Sequence, residues 1–386
     1  MYEPTGRQSA NLAFLWPAFV AASASDMSAL IAKHFANLAV GAAGPSVPEP
    51  KWSTSHTVAL ELNNVRLRDF TVDETSPPAL LCTPLALHGA AVADLTSDHS
   101  LVAALRSAGL RRLLAADWRA ATPEMRFRGI DDYLADLNVL VDHIGGPVDL
   151  IGLCQGGWMA LAYAARFPAK VRKMVLAGAP IDIAAAPSAL SELASTSPIA
   201  VFDELVRIGD GIIPGRKVLK FWGVGAVDTD DLRQVLQTDE LPGSAAFAGL
   251  EAAFRDWYAW TTDLPGAYFL EVVEKLYKGN ELALGKFVAL GQRIDLTTVH
   301  VPIFLLAASE DELVAPSQLF AIERLVGTSA GNIRKATASG RHVSLFMGKK
   351  VLEEIWPSIV QWIREPIPAS AIRASEDTPA RRGLRS

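Results

Sequence analysis

The stretch VDLIGLCQGGWMALAYAARFPAKV, residues 148–171, carries the strongest signal for the architecture of the protein. It opens with an apolar run that is typical of a buried strand, and its segment QGGWMALAYAARF is typical of a helix that Pro168 ends. Cys154 stands between the two, with a glycine two residues to either side. A strand, a tight turn and a helix in this order predict a nucleophile elbow with Cys154 at the turn.

The glycines around Cys154 have a steric role. An elbow strains the backbone of its central residue and packs it against neighbouring strands, so larger side chains two positions away would collide. The free N–H groups at the start of the next helix would then point at the reacting centre, where they stabilise a thiolate or an oxyanion. The alternative is a buried structural cysteine among small residues.

Strands and helices alternate along much of the chain, which predicts a mostly parallel α/β sheet with helices on both faces. The alternation of strands and helices stops near residue 182 and resumes at VPIFLLAASED. The region between them is rich in aromatic residues and has the pattern of helices. We therefore expect a helical cap inserted into the sheet. The predicted parts are an N-terminal helical segment and linker (1–50), an α/β core (51–182 and 291–365), the cap (183–290) and a disordered tail (366–386).

Composition narrows the function classes. The chain has 386 residues, a net charge of −6 and two cysteines. We expect neither nucleic-acid binding nor a disulfide scaffold, and a reducing, cytoplasmic setting. The apolar run from Leu12 to Ala24 is too short to span a bilayer, so we expect no transmembrane segment. The histidines are scattered and the common phosphate-binding glycine loops are absent from the sequence, so we expect neither a bound metal nor a cofactor.

Chain order supplies partners for the nucleophile. In folds built on such an elbow, an acid follows the nucleophile and a histidine follows the acid. Asp311 ends an apolar strand and is the preferred acid, while His342 follows the next strand and is the expected base. Asp182 is the rival acid, and Glu310 and Glu312 remain possible substitutes.

An acyl-transfer mechanism follows from these residues. His342 would take the thiol proton, and the thiolate would attack an ester or thioester carbonyl to give an acyl-cysteine. The backbone N–H of Gln155 is one expected oxyanion donor and a second should lie near Gly89, whereas His88 is expected to be structural. Cys82 is read as the start of the strand CTPLALHG, which would separate it from Cys154 by roughly 20 Å. A disulfide needs Cα atoms within about 7 Å, so we expect no bridge.

The chain resembles the polyhydroxyalkanoate synthase family, whose members are cysteine enzymes with an α/β-hydrolase fold. The resemblance lies in LIGLCQGG, in AADWRAATPEMRFRGIDDYLADL, in GQRIDLTTVHVPIFLLAASEDELVAPS and in SGRHVSLFMGKKVLEEIWPSIVQWI. It implies Cys154 as nucleophile, Asp311 as acid and His342 as base, with hydroxyacyl-CoA as a substrate rather than a cofactor.

The sequence also departs from the synthases. Its LHGAAVADL and AGAPID segments are similar to those of intracellular polyhydroxyalkanoate depolymerases, so an ester or thioester hydrolase is the alternative. A third hypothesis is a granule-associated partner without catalysis, since the amphipathic segment from Asn11 to Leu38 could lie on a polyester surface. The same segment could instead pack on the domain. A homodimer is a further expectation that the sequence leaves open.

Overall fold

The computed structural model describes residues 48–216 and 229–367, and its centre is an eight-stranded sheet. The strands are β1 (Thr57–Glu61), β2 (Val65–Asp69), β3 (Pro78–Cys82), β4 (Arg112–Trp118), β5 (Val148–Leu153), β6 (Val171–Ala177), β7 (Ile303–Ala308) and β8 (Ile333–Ala338).

The spatial order of the strands is β1-β2-β4-β3-β5-β6-β7-β8. Strand β2 runs antiparallel to both of its neighbours, and the pairs from β4 to β8 are parallel. Every residue of β5 is buried, as expected for a central strand that is covered on both faces. The predicted mostly parallel α/β sheet is therefore confirmed, and β1 and β2 form an antiparallel hairpin at its edge.

Helices connect the strands and build the insertion. The α-helices are α1 (Leu101–Ser107), α2 (Ile130–Ile144), α3 (Gln155–Arg166), α4 (Ala189–Thr196), α5 (Ile199–Ile208), α6 (Thr229–Leu236), α7 (Ala245–Ala259), α8 (Gly266–Glu271), α9 (Pro316–Phe320), α10 (Ser344–Met347) and α11 (Trp356–Arg364). Wider π-helical turns follow α8 at Val272–Lys278 and precede α11 at Val351–Ile355. Short 3-10 turns cover Ala90–Ala93, Pro123–Met125, Pro168–Lys170, Ile183–Ala185, Leu296–Thr298, Ala321–Arg324 and Ala330–Asn332. Three small ribbons pair Asp94–Thr96 with His99–Ser100, Ile212–Ile213 with Leu264–Pro265, and Val288–Ala289 with Gln292–Arg293.

The helices α4 to α8 lie between β6 and β7 in the chain and form the cap. The aromatic residues Trp257 and Tyr268 are buried there, as expected for cap core. The exact domain bounds at 183 and 290 stay a prediction. Trp222, which belongs to the same aromatic series, falls outside the described residues.

The position of β3 corrects the prediction for PLALHG. The strand covers PALLC, and the apolar residues Leu85 and Leu87 are buried in the loop that follows. Pro84 has no N–H to donate to a ladder, which explains why pairing stops before it. Cys82 therefore ends β3 instead of starting a strand, and it pairs with Gly152 of β5. Both cysteines are free, but the separation argued from the sequence is wrong because Cys82 and Cys154 lie at the same edge of the sheet.

Two helix ends have identifiable local causes. Helix α1 is capped by Ser100, whose hydroxyl accepts from the N–H of Ala103 at 2.8 Å. The last helix is interrupted because Pro357 lacks an N–H, and the wide turn before it absorbs the break. The segment from Asn11 to Leu38 and the tail beyond residue 367 lie outside the described residues.

Candidate active site

Cys154 occupies a strained turn between β5 and α3. Its φ is 48° and its ψ is −119°, a conformation that non-glycine residues rarely adopt. Two hydrogen bonds hold it there: its N–H donates to the carbonyl of Ala177 at 2.9 Å, and its carbonyl accepts from Gly157 at 2.8 Å. The residue is also the N-cap of α3, so the positive end of the helix dipole faces the sulfur.

The glycines of the motif allow close approach of backbones, as the sequence suggested. A Cβ at Gly156 would lie 2.2 Å from the carbonyl oxygen of Cys82, which belongs to the adjacent strand. A Cβ at Gly152 would lie 2.6 Å from the Cα of Gly157. Real Cβ atoms do not come this near to backbone, so any larger residue at these positions would push α3 away from the sheet.

His342 and Asp311 form a buried pair next to Cys154. The Nδ1 atom of His342 lies 2.9 Å from Oδ1 and 2.8 Å from Oδ2 of Asp311. Both side chains are essentially inaccessible, with exposed fractions of 0% and 1%. Because a carboxylate can only accept, Nδ1 carries a proton and donates it. With Nδ1 committed to Asp311, Nε2 is the ring atom that can exchange a proton with the Cys154 thiol, as a general base does.

The electrostatics of His342 link it to the thiol. Burial by itself disfavours the charged ring, but the charges of Asp311 and Cys154 outweigh that effect and hold the pKa of His342 well above its ordinary value. Among the described residues, the buried Nε2 atom has no hydrogen bond of ordinary geometry. Cys154 is therefore near enough to act on the charge of the ring, and catalytic hydrogen bonds of this kind often tighten only when substrate binds.

The loop after β7 positions the acid. Oδ1 of Asp311 accepts from the N–H groups of Leu313 and Val314 at 3.0 and 2.8 Å. The rival Asp182 points elsewhere: its carboxylate pairs with Arg324 and accepts from Asn280 at 2.7 Å. The structure thus brings Asp311 and not Asp182 to the histidine, and the catalytic roles of the residues stay predictions.

The other two acidic candidates have different surroundings. Glu310 is exposed. Glu312 is folded against the histidine loop, where its Oε2 accepts from the backbone N–H of His342 at 3.4 Å. Burial raises the pKa of Glu312, and its Oε1 is buried with no hydrogen-bond partner in the described part of the chain. Neither glutamate is in hydrogen-bond contact with the imidazole.

The two expected oxyanion donors lie on the elements that flank the thiol. Gln155 is the first residue of α3, so its N–H has no acceptor within the helix. Gly89 caps the 3-10 turn at Ala90–Ala93, in the loop after β3. The inserted helical region holds that loop in place, because the backbone N–H of Thr262 donates to the carbonyl oxygen of Leu87 at 2.7 Å. That the backbone N–H groups of Gln155 and Gly89 stabilise an oxyanion stays a prediction.

His88 lies in an aromatic cluster, away from the role of a general base. Its ring stacks on Tyr258 at 4.9 Å between centroids and lies 5.0 Å from Trp257. Nδ1 is 3.4 Å from the carbonyl of Trp260, and burial lowers the pKa of His88 to about 4. The ring is therefore neutral at pH 7, in agreement with the expected structural role.

Sequence reasoning missed two residues that shape this site. Tyr277, in the wide turn after α8, accepts a hydrogen bond from the side-chain Nε2 of Gln155 at 2.6 Å. Gly178, directly after β6, has a φ of +57°, and a Cβ there would lie 2.9 Å from Cε1 of His342. No local pattern marks the tyrosine, since its contact spans 122 residues of sequence. For Gly178, the available sequence signal was a glycine directly after a buried strand.

Two family models match parts of the chain. One describes an alpha/beta hydrolase fold and covers residues 85–207, and the other describes the C-terminus of PHB de-polymerase and covers residues 233–366. Among solved structures, a monoacylglycerol lipase of Paleococcus ferrophilus is 17% identical, with a TM-score of 0.50. The match covers 78% of this chain and 98% of the lipase. The fold is therefore the α/β-hydrolase fold.

Curated relatives identify the chain more closely. It is 26% identical over 307 residues to the poly(3-hydroxyalkanoate) polymerase subunit PhaC of Allochromatium vinosum, covering 76% of this chain and 82% of that protein. It is 28% identical to the PhaC subunit of a Synechocystis species, covering 70% of this chain and 74% of that one. The chain is an α/β-hydrolase-fold relative of the PhaC polymerase subunits.

Within residues 48–216 and 229–367, no group of three or more His, Cys, Asp or Glu side chains is arranged to hold a metal ion. In the same ranges, no helix is long and apolar enough to cross a membrane.

Proposed function

We propose that the protein is an acyltransferase that takes hydroxyacyl groups from CoA thioesters onto Cys154 and passes them to the hydroxyl end of a growing polyester. The observation that carries the proposal is the strained Cys154 beside the buried His342–Asp311 pair, in a chain related to PhaC subunits. A cysteine suits this chemistry because its thiolate is a strong nucleophile and thioester exchange needs little driving force.

The steps balance with the groups present. His342 takes the proton of the Cys154 thiol, the thiolate adds to the thioester carbonyl, and the CoA sulfur leaves with the proton returned by the ring. A hydroxyl of the chain end then gives its proton to His342 and attacks the acyl-cysteine, which forms the new ester and releases the thiolate. Gln155 and Gly89 are the proposed donors to both oxyanions. We propose that CoA enters as a substrate and that neither a metal nor a further cofactor takes part.

The surroundings of the site favour transfer to a hydroxyl over hydrolysis. The exposed fraction of Cys154 is 1%, so bulk water does not reach the sulfur in this arrangement of the cap. Exclusion of water protects a reactive acyl-enzyme from hydrolysis. Substrate must then enter through movement of the cap, which is a common gating step in enzymes with covered sites.

A hydrolase is the second candidate, and one observation favours it. The C-terminal third of the chain matches the model described as the C-terminus of PHB de-polymerase, and that region holds both Asp311 and His342. The same triad would then deliver the acyl group to water. We further propose action in the cytoplasm, in association with polyester granules, and assembly as a homodimer.

One assay separates these candidates. Purified protein is mixed with 3-hydroxybutyryl-CoA, free CoA is followed with a thiol reagent, and the acyl product is identified by mass spectrometry. CoA release together with oligomer or polymer supports the acyltransferase. CoA release with only the free hydroxy acid supports a thioesterase. If CoA is not released, the acyltransferase proposal fails, and polyester added as substrate then tests the depolymerase.

A further inference from the structure

A narrow apolar cavity lies inside the cap. The space that it encloses is about 20 Å³, enough for a group about the size of a methyl, and about 250 Å³ lies between its walls when the open mouth is included. Its walls are side chains from α4, from α5 and from the wide turn after α8: Leu190, Leu193, Ala194, Phe202, Val273 and Tyr277. Apart from the hydroxyl of Tyr277, these side chains offer no polar group, so the cavity suits a hydrocarbon and not a hydroxyl, a carboxylate or a phosphate.

Tyr277 places this cavity next to the candidate nucleophile. Its ring lines the cavity, while its hydroxyl accepts from Gln155, the residue that directly follows Cys154. The other end of the Gln155 amide is also fixed, because its Oε1 accepts from Trp158 Nε1 at 2.8 Å. Burial and the nearby charge of Cys154 raise the pKa of Tyr277, which agrees with a short separation from the sulfur. Tyr277 thus contacts both the apolar space and the residue that follows the thiol.

We propose that this cavity binds the alkyl substituent on the β-carbon of the acyl group while that group is attached to Cys154. The inference rests on the proposed acyl transfer and adds to it a determinant of chain length. The thioester carbonyl must stay at the oxyanion donors, and a substituent that points into the cap meets Tyr277 first. Displacement of that ring opens the apolar space behind it, where Leu193 and Phe202 limit the length of the substituent.

The size of the effect follows from hydrophobic transfer. A buried methylene gains about 0.8 kcal/mol, which is about a fourfold change in kcat/KM for each methylene that the cavity accepts. A substrate that carries one methylene too many for the pocket has a kcat/KM that is lower by about tenfold or more. Enlarging or filling the cavity should therefore change the ratio of kcat/KM between long and short substrates by about tenfold.

The test compares thioesters that differ only in the substituent. 3-Hydroxypropionyl-CoA has none, 3-hydroxybutyryl-CoA has a methyl group, and 3-hydroxyhexanoyl-CoA has a propyl group. Leu193→Ala enlarges the cavity and Ala194→Leu fills it. Leu250→Ala is the matched control, because Leu250 is equally buried in the cap (6% exposed, as Leu193 is) and does not line the cavity. Each ratio compares kcat/KM for two substrates on the same sample of one variant. Any loss of folded protein therefore cancels from the ratio.

We expect Leu193→Ala to raise the hexanoyl-to-butyryl ratio about tenfold. Ala194→Leu should lower kcat/KM for both substituted substrates relative to 3-hydroxypropionyl-CoA, and Leu250→Ala should leave all ratios unchanged. Turnover with unchanged ratios in both cavity variants would overturn this assignment alone. Ratios that shift equally in the Leu250 control would also overturn it. Absence of CoA release by the wild type would refute the proposed function and this assignment with it.

Discussion

Replacing Asp311 by asparagine tests the histidine–carboxylate pair with little change of shape. Oδ1 of Asp311 accepts from the N–H groups of Leu313 and Val314, and the asparagine oxygen can keep both bonds. The new NH2 group then takes the place of Oδ2, which lies 2.8 Å from Nδ1 of His342. Two donors cannot face each other, so Nδ1 must give up its proton. The proton moves to Nε2, and the ring can no longer accept one from the Cys154 thiol.

The expected loss of activity follows from the lost charge. Two unit charges about 4 Å apart interact by about 4 kcal/mol at an effective dielectric constant near 20. At 1.36 kcal/mol for each factor of ten, removal of the carboxylate should lower kcat by about 10³-fold. The wrong tautomer adds to this loss, so a reduction between about 10³-fold and 10⁴-fold is expected.

The control is the same substitution at the rival position. Asp182 pairs with Arg324 and Asn280, so Asp182→Asn should lower stability by about 1 kcal/mol and leave kcat within a few-fold of the wild type. The assay is CoA release from 3-hydroxybutyryl-CoA at saturating substrate, with folding checked by circular dichroism. Full activity of folded Asp311→Asn, or a large loss of kcat in Asp182→Asn, would refute the assignment of the acid.

Three further predictions concern single groups around the site. Burial raises the pKa of Cys82 to about 12, so iodoacetamide at pH 7.5 should alkylate Cys154 first, as read by peptide mass spectrometry, and preferential labelling of Cys82 would contradict the account. Tyr277→Phe removes the bond to Gln155 but keeps the ring, so kcat with 3-hydroxybutyryl-CoA should fall about tenfold. An unchanged kcat would mean that this bond does not position the elbow. Glu312 has a raised pKa, so ionising it disfavours the folded state above the ordinary glutamate value near 4.5. Glu312→Gln should therefore raise the Tm at pH 7 but not at pH 4, as read by scanning calorimetry, and an equal shift at both values would contradict this.

The sheet and the elbow could be predicted because they rest on local patterns. Alternating apolar strands and helices fix a parallel sheet, and a residue between two glycines at a strand-to-helix junction is typical of a nucleophile elbow. The chain order of Asp311 and His342 then led to the pair that the structure shows in contact. Such signals survive without knowledge of tertiary packing, because each one is contained within a short stretch of sequence.

The position of Cys82 could not be read in the same way. The run PALLCTPLALHG is apolar throughout, so periodicity cannot separate the strand from the buried loop after it. The cap contacts were also out of reach, since Tyr277 meets Gln155 only through the packing of the wide turn against α3. The position of Glu312, whose Oε1 has no hydrogen-bond partner among the residues that the structure describes, depends likewise on the packing of its loop against the histidine loop.

The central claim is that Cys154 carries the acyl group, and direct mapping of the intermediate tests it most closely. The protein is mixed with 3-hydroxybutyryl-CoA, quenched in acid within one turnover and digested, and the acylated peptide is identified by mass spectrometry. We expect the acyl group on the peptide that contains Cys154, and we expect folded Cys154→Ala to show neither the adduct nor CoA release. An adduct on Cys82, or continued turnover by Cys154→Ala, would contradict the account.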